Sequence, residues 1–228
     1  MLIPNKFLSI ILLLFLPVLS LSATVDSLQP EDVTIIAPKF IIGNNQKYQA
    51  QVKNVIINRF TEIFEVEIPK LEDQRVVTEF FDYTCGHCKN MAKILNEIGD
   101  ARKNVSFIYK QFPIRGDKAR LAARAAIASK AQNHFPEFHK LLMQNQPINK
   151  KTILTKADSL NLDLTQLAKD MESTTTYTEI SDNYGLAQAL KITGTPTFLI
   201  LGQNSDGKPH IYYVAGILDK KELEILLR

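Results

Sequence analysis

An apolar strand that runs into a pair of cysteines and then into an amphipathic helix is the feature that most narrows the folds open to this chain. Arg75 to Asp82 carries Val76, Val77, Thr78, Phe80 and Phe81, a β-branched and aromatic run suited to a buried strand. Met91, Ile94, Leu95 and Ile98 then recur at helical spacing. Between the two stand Cys85-Gly86-His87-Cys88, which hold the only two cysteines in 228 residues. Cys85 thus falls where strand hands over to helix, and there free backbone N–H groups and the positive end of the helix dipole stabilise an anion. The anion in question is a thiolate.

Such a pair can be a redox couple, a structural staple or a metal clip. The i, i+3 spacing brings two Cα atoms within the ~4.4–6.8 Å that a disulfide requires. An imidazolium at His87 favours the charged thiol, and Cys-X-X-Cys sites at helix starts lower a cysteine pKa to roughly 3.5–7.5. Gly86 lets the backbone turn tightly and leaves no side chain to block a docking substrate. A zinc site needs two further ligands, and His134, His139 and His210 have no finger-like spacing. A staple closing so short a loop removes little unfolded-state entropy, although a structural disulfide in a non-catalytic periplasmic binding module remains the alternative. A redox pair needs no cofactor and no metal, because the sulfurs carry the electrons.

Upstream, residues 1–22 have an early Lys6, an apolar run from Phe7 to Leu19 and small residues at Ser20 and Ser22, with Ala23 next in the chain. That is the layout of a secretory signal peptide cleaved near Ser22 or Ala23. The run is short for a hydrocarbon core needing ~20 apolar residues, and no cysteine follows it to carry a lipid. A periplasmic or secreted location follows as the expectation, and with it surroundings in which disulfides persist. The net charge of +3 is weak and its carriers scattered, which argues against nucleic acid as a partner. Residues 24 to 45 give no clear pattern. Tyr48, Val52, Ile56, Phe60 and Ile63 then form a stripe that predicts one helix before Pro69. The stripe must bury against its own domain or against a second copy in a two-fold homodimer.

Downstream, Asn104 to Phe112 reads as a strand ending at Pro113. Residues from Asp117 to about Leu190 read as helical: an Ala-rich stretch from Ala119 to Ala131, a helix opened by Pro136, one capped by Asn149, one near Asp163 to Met171, and one near Tyr177 to Leu190. Thr197 to Leu201 and His210 to Val214 flank the turn residues Asn204-Ser205-Asp206-Gly207, and a last helix covers Lys220 to Leu227.

Strand, helix, strand, helical block, two strands and a helix, with Cys85-Gly86-His87-Cys88 opening the first helix and Gly194-Thr195-Pro196-Thr197 before the third strand, resemble the thioredoxin superfamily. More closely, the chain resembles the DsbA branch of exported thiol:disulfide oxidoreductases. The resemblance implies an α/β thioredoxin fold over residues 71–228 with a helical insertion at about 116–190, preceded by an N-terminal extension at 23–70. It also implies a cis peptide before Pro196, facing the cysteines, with Thr195 and Gly86 lining the substrate path. Cys85 matches the exposed, attacking cysteine and Cys88 the buried, resolving one. Glu79, six residues before Cys85, matches a buried acid that exchanges a proton with Cys88, and Lys110 on the next strand is its candidate charge partner. The apolar run does not itself fix which face is buried, so Glu79 could also point to water from an edge of the sheet. Partners implied are unfolded or misoxidised secreted proteins and a membrane redox partner of DsbB or DsbD type. The Gly-His dipeptide and Thr195 resemble isomerase and reductase branches as much as the oxidase branch.

Overall fold

The computed structural model describes residues 28–36, 46–66, 74–206 and 208–228. The expected signal peptide with its cleavage site, Pro69, and Gly207 of the hairpin turn lie outside the described residues. Five strands form one sheet: β1 (Val33–Ile36), β2 (Arg75–Phe81), β3 (Val105–Gln111), β4 (Thr197–Gln203) and β5 (Pro209–Ala215), in the order β1-β5-β4-β2-β3. β2 runs parallel to β3 and antiparallel to β4, while β1 lies parallel to β5. Every residue of β2 is buried, as its continuous apolar run requires of a strand covered on both faces. This is the α/β thioredoxin-like fold that the element order implied.

Helix α3 (Gly86–Ala101) follows β2 after four residues and lays Met91, Leu95 and Ile98 against Val77, Phe198 and Ile200. The closing helix α9 (Lys220–Leu226) joins that face through Leu223. Its start is fixed by a reciprocal cap, in which Asp219 accepts from the Glu222 N–H and Glu222 accepts from the Asp219 N–H. On the opposite face lie α1 (Gln46–Asn58), α2 (Phe60–Phe64) and α8 (Thr174–Ala189). The helix expected over the N-terminal stripe is therefore two helices, broken at Arg59, whose φ of −117° and ψ of 27° leave the helical region. The stripe survives the break: Val52, Ile56, Phe60 and Ile63 are all buried against Val76, Phe80, Leu199 and Tyr213 of the sheet. These four residues belong to the chain's own core.

Between β3 and β4 run α4 (Asp117–Ala128), a 3-10 turn at Ser129–Gln132, α5 (Phe135–Leu142), α6 (Lys150–Asp158), α7 (Leu164–Met171) and α8. The expected cap is present at Asn149, which accepts from the Thr152 N–H at 2.9 Å; Asp163 likewise caps α7, accepting from the N–H groups of Thr165 and Gln166. Pro136 sits in the first turn of α5. The Ala-rich face of α4 packs with Phe138, Leu142, Ile153 and Leu167 into a second core that also holds Cys85 and Cys88. The helical block and the sheet thus share the apolar cluster around the cysteines.

Candidate active site

The chain builds this site from three places. β2 delivers Glu79 and the loop Asp82-Tyr83-Thr84, the first turn of α3 delivers both cysteines, and the turn before β4 delivers Thr195 and Pro196. Cys85 is the N-cap of α3, with an extended backbone, and its Sγ accepts from the Cys88 N–H at 3.4 Å. Its own N–H donates to the Asp82 carbonyl at 3.0 Å. Asp82 is buried and fully partnered: one carboxylate oxygen accepts from the N–H and hydroxyl of Thr84, both at 2.7 Å, and the other from the Arg115 N–H at 3.0 Å. Three charge-assisted bonds therefore shape the loop that aims Cys85. Asp82 was not among the residues singled out from sequence, although Asp followed two residues on by Thr, just before a helix, is an Asx-turn signal.

The two sulfurs differ sharply. Cys85 is held down at about 5, first by a hydrogen bond from the Cys88 thiol and then by a side-chain bond to Thr195 and the backbone N–H groups of Cys88 and His87, with burial opposing. Cys88 lies deeper, and burial pushes its thiol far up, reinforced by its role as donor to Cys85 and by the nearby Glu79. Glu79 is 1% exposed, and neither carboxyl oxygen has a hydrogen-bond partner among the described residues. Burial, followed by the charge on Cys85, raises it to about 8. The pair therefore reads as a thiolate beside a thiol, with a carboxylic acid still carrying its proton beneath them.

Several expectations change. Glu79 does not point to water: β2 lies between β4 and β3, and the acid pairs across the sheet with Phe198 and Tyr109. Lys110 is not its charge partner, because strand alternation turns it to the other face, where its Nζ donates to Glu65 at 2.6 Å. Cys85 is not exposed, at 2%; the first turn of α3, Tyr83 and Thr195 close around it, and its Sγ lies 3.4 Å from the Thr195 carbonyl oxygen. His87 is exposed, and what it places on the sulfur is its backbone N–H. Gly86 needs no unusual turn, for it is the first residue of α3, and a Cβ there would meet nothing within 4 Å.

The Thr195–Pro196 peptide is cis and its carbonyl and side chain reach Cys85. Thr193 to Thr197, Tyr213, Ala215 and Gly216 line a small cavity of about 120 Å³ beside it. Gly216, at φ +112°, takes a backbone conformation that other residues rarely adopt, and its N–H donates to the Pro196 carbonyl at 3.0 Å. Among the described residues, no group of three or more His, Cys, Asp or Glu side chains could hold a metal ion. No helix among them is long and apolar enough to cross a membrane.

Residues 76–219 match a family model described as the DSBA-like thioredoxin domain. Among solved structures, a thioredoxin-like oxidoreductase from Silicibacter pomeroyi is 33% identical, with 67% of this chain and 83% of that one covered at a TM-score of 0.59. The catalytic domain of Proteus mirabilis ScsC shares the fold at 21% identity, with 76% and 95% covered and a TM-score of 0.62. So does the thiol-disulfide exchange protein alpha-DsbA2 from Wolbachia pipientis, at 19% identity, 80% and 97% covered, and a TM-score of 0.63. Among curated proteins, the Na(+)/H(+) antiporter NhaA 1 of Salinispora arenicola is 27% identical over 138 residues, 59% of this chain. The chain spans only 21% of that antiporter's length.

Proposed function

The chain belongs to the family of DSBA-like thioredoxin domains, whose chemistry is thiol–disulfide exchange, and we propose that it donates its Cys85–Cys88 disulfide to exported proteins. The observation that carries this reading is the asymmetric pair, a thiolate at Cys85 stabilised by the thiol of Cys88. Stabilising the reduced form makes the disulfide a better oxidant. A substrate thiolate attacks Cys85 Sγ of the disulfide, and Cys88 leaves as a thiolate that takes the proton held on Glu79. A second substrate thiolate then attacks the substrate sulfur of the mixed disulfide, and Cys85 leaves as a stabilised thiolate. The substrate loses two electrons and two protons, and the pair gains the electrons. The substrate chain lies along the Thr195–Pro196 turn, over Gly86 and His87.

Export is supported by the tripartite pattern of residues 1–22 and by the fold shared with a periplasmic thioredoxin-like protein from Salmonella enterica, 23% identical. Unfolded secreted proteins are then the substrates, and a membrane partner of DsbB type restores the disulfide. Isomerisation of wrong bridges, reset by a partner of DsbD type, is favoured by the Gly-His dipeptide and Thr195. One experiment separates the two directions. Oxidised protein mixed with reduced, unfolded ribonuclease should install disulfides stoichiometrically, whereas an isomerase rescues scrambled ribonuclease only when supplied in reduced form. Failure of both assays by correctly folded protein would refute the exchange reading.

A further inference from the structure

One short segment of the helical insertion holds the chain on both sides of the cysteine motif. On the upstream side, Nδ1 of His139 in α5 hydrogen-bonds the Tyr83 hydroxyl at 2.9 Å, two residues before Cys85. The bond is buried, and the imidazole lies over the Tyr109 ring at 4.0 Å and against the edge of Phe81 at 5.0 Å. On the downstream side, Lys89 follows Cys88 directly and is 8% exposed. Its Nζ donates to the carbonyls of Gln144 and Gln146, at 3.1 and 2.8 Å, in the loop that leaves α5. Lys156 of α6 holds the same loop by donating to Oε1 of Gln144 at 2.9 Å.

These contacts cost too much to be incidental. A buried ammonium or imidazole left without its partner is strongly disfavoured, so each tie resists separation of the insertion from the redox loop. Burial keeps His139 neutral, at about 3, so the bond to Tyr83 persists across any working pH. The Cys85 thiolate meanwhile depends on short-range geometry, namely the Cys88 thiol, Thr195, and two N–H groups in the first turn of α3. Those contacts all meet at the sulfur, which lies in the stretch from Tyr83 to Lys89, so they follow the placement of that stretch.

We propose that His139 and Lys89 are positioning residues for the exchange reaction, through which segment 139–146 of the insertion clamps both flanks of Cys85-Gly86-His87-Cys88 and fixes the donors on the Cys85 sulfur. The proposal rests on the exchange reading above, but its test reads the sulfur directly. Thiolate absorbance gives the Cys85 titration midpoint, a glutathione titration gives the equilibrium constant of the pair, and thermal melting gives stability. His139→Phe, Tyr83→Phe and Lys89→Met should each raise the midpoint and weaken the pair as an oxidant about fivefold or more, and Lys89→Arg should recover most of the loss. Arg124→Met breaks the insertion's Arg124–Glu172 pair, away from this segment, and should lower only the melting temperature. If the three clamp variants melt earlier yet keep the midpoint and equilibrium constant within about twofold of the parent, the contacts are structural alone and the proposal falls. Should His139→Phe fail to fold, Tyr83→Phe removes only a hydroxyl and decides the upstream tie. An unperturbed parent midpoint would overturn the proposal; a low midpoint without exchange activity would overturn only the function.

Discussion

Glu79→Gln replaces a buried carboxyl with a neutral group of the same shape and should make the protein more stable, by an amount that grows with pH. The folded protein holds Glu79 at about 8 against an ordinary 4.5, through burial first and the Cys85 charge second. Between those values the folded protein keeps a proton that the unfolded chain releases. Stability is therefore fully present below pH 4.5 and is lost as pH rises through about 8. The interval is worth about 5 kcal/mol at ~1.4 kcal/mol per pH unit. No screening discount applies, since the residue is 1% exposed and its oxygens have no partner among the described residues. Urea unfolding followed by tyrosine fluorescence suits a chain with seven tyrosines and no tryptophan. Parent and Glu79→Gln should nearly coincide near pH 4.5 and diverge steadily up to pH 8, with the divergence smaller in the disulfide form, where Cys85 carries no charge. Parallel stability curves across that range would show that Glu79 is already ionised in the fold, and the proton assigned to Cys88 would have no source.

Cys85→Ser should abolish alkylation near neutral pH, while Cys88→Ser should leave Cys85 reactive and accumulate mixed disulfides; rapid labelling of Cys88 in the Cys85→Ser protein would reverse the assignment. Because the Cys88 thiol is the largest cause of the low Cys85 value and His87 contributes through its backbone, Cys88→Ala should raise the Cys85 midpoint far more than His87→Ala does. The opposite ranking in a thiolate titration would return the imidazole to the site. Asp82→Ala strands three donors, two of them on Thr84, and should cost about 2–4 kcal/mol in chemical denaturation, while a loss below about 1 kcal/mol would mean the loop is shaped elsewhere.

What could be read from the sequence was what depends on local pattern. β2, α3, the cap at Asn149 and the β4–β5 hairpin announce themselves through period, capping residue and turn composition, and the motif at Cys85 marks where α3 begins. The break at Arg59 was not legible, since no Pro or Gly marks it and the apolar stripe runs through unchanged. β1 is only four residues long and owes its existence to pairing with β5, 178 positions away at Val33 and Ile211. The same holds within the site. Lys110 was misplaced because alternation along β3 is visible only once its register against β2 is known. Tyr83 and His139 meet across 56 residues, and Cys85 is covered by Thr195 from across 110. Local sequence can nominate a thiolate, but the groups that bury and hold it come from tertiary packing.

The central claim is that Cys85 and Cys88 form a reversible pair whose reduced state is stabilised. Equilibration of the protein against glutathione buffers, with the cysteine state read by mass after acid quench and alkylation, is the sharpest test of it. One two-electron transition between dithiol and disulfide is expected, lying on the oxidising side of the glutathione couple. A disulfide that persists through all glutathione ratios and through millimolar dithiothreitol would mark a staple and rule out a reversible pair.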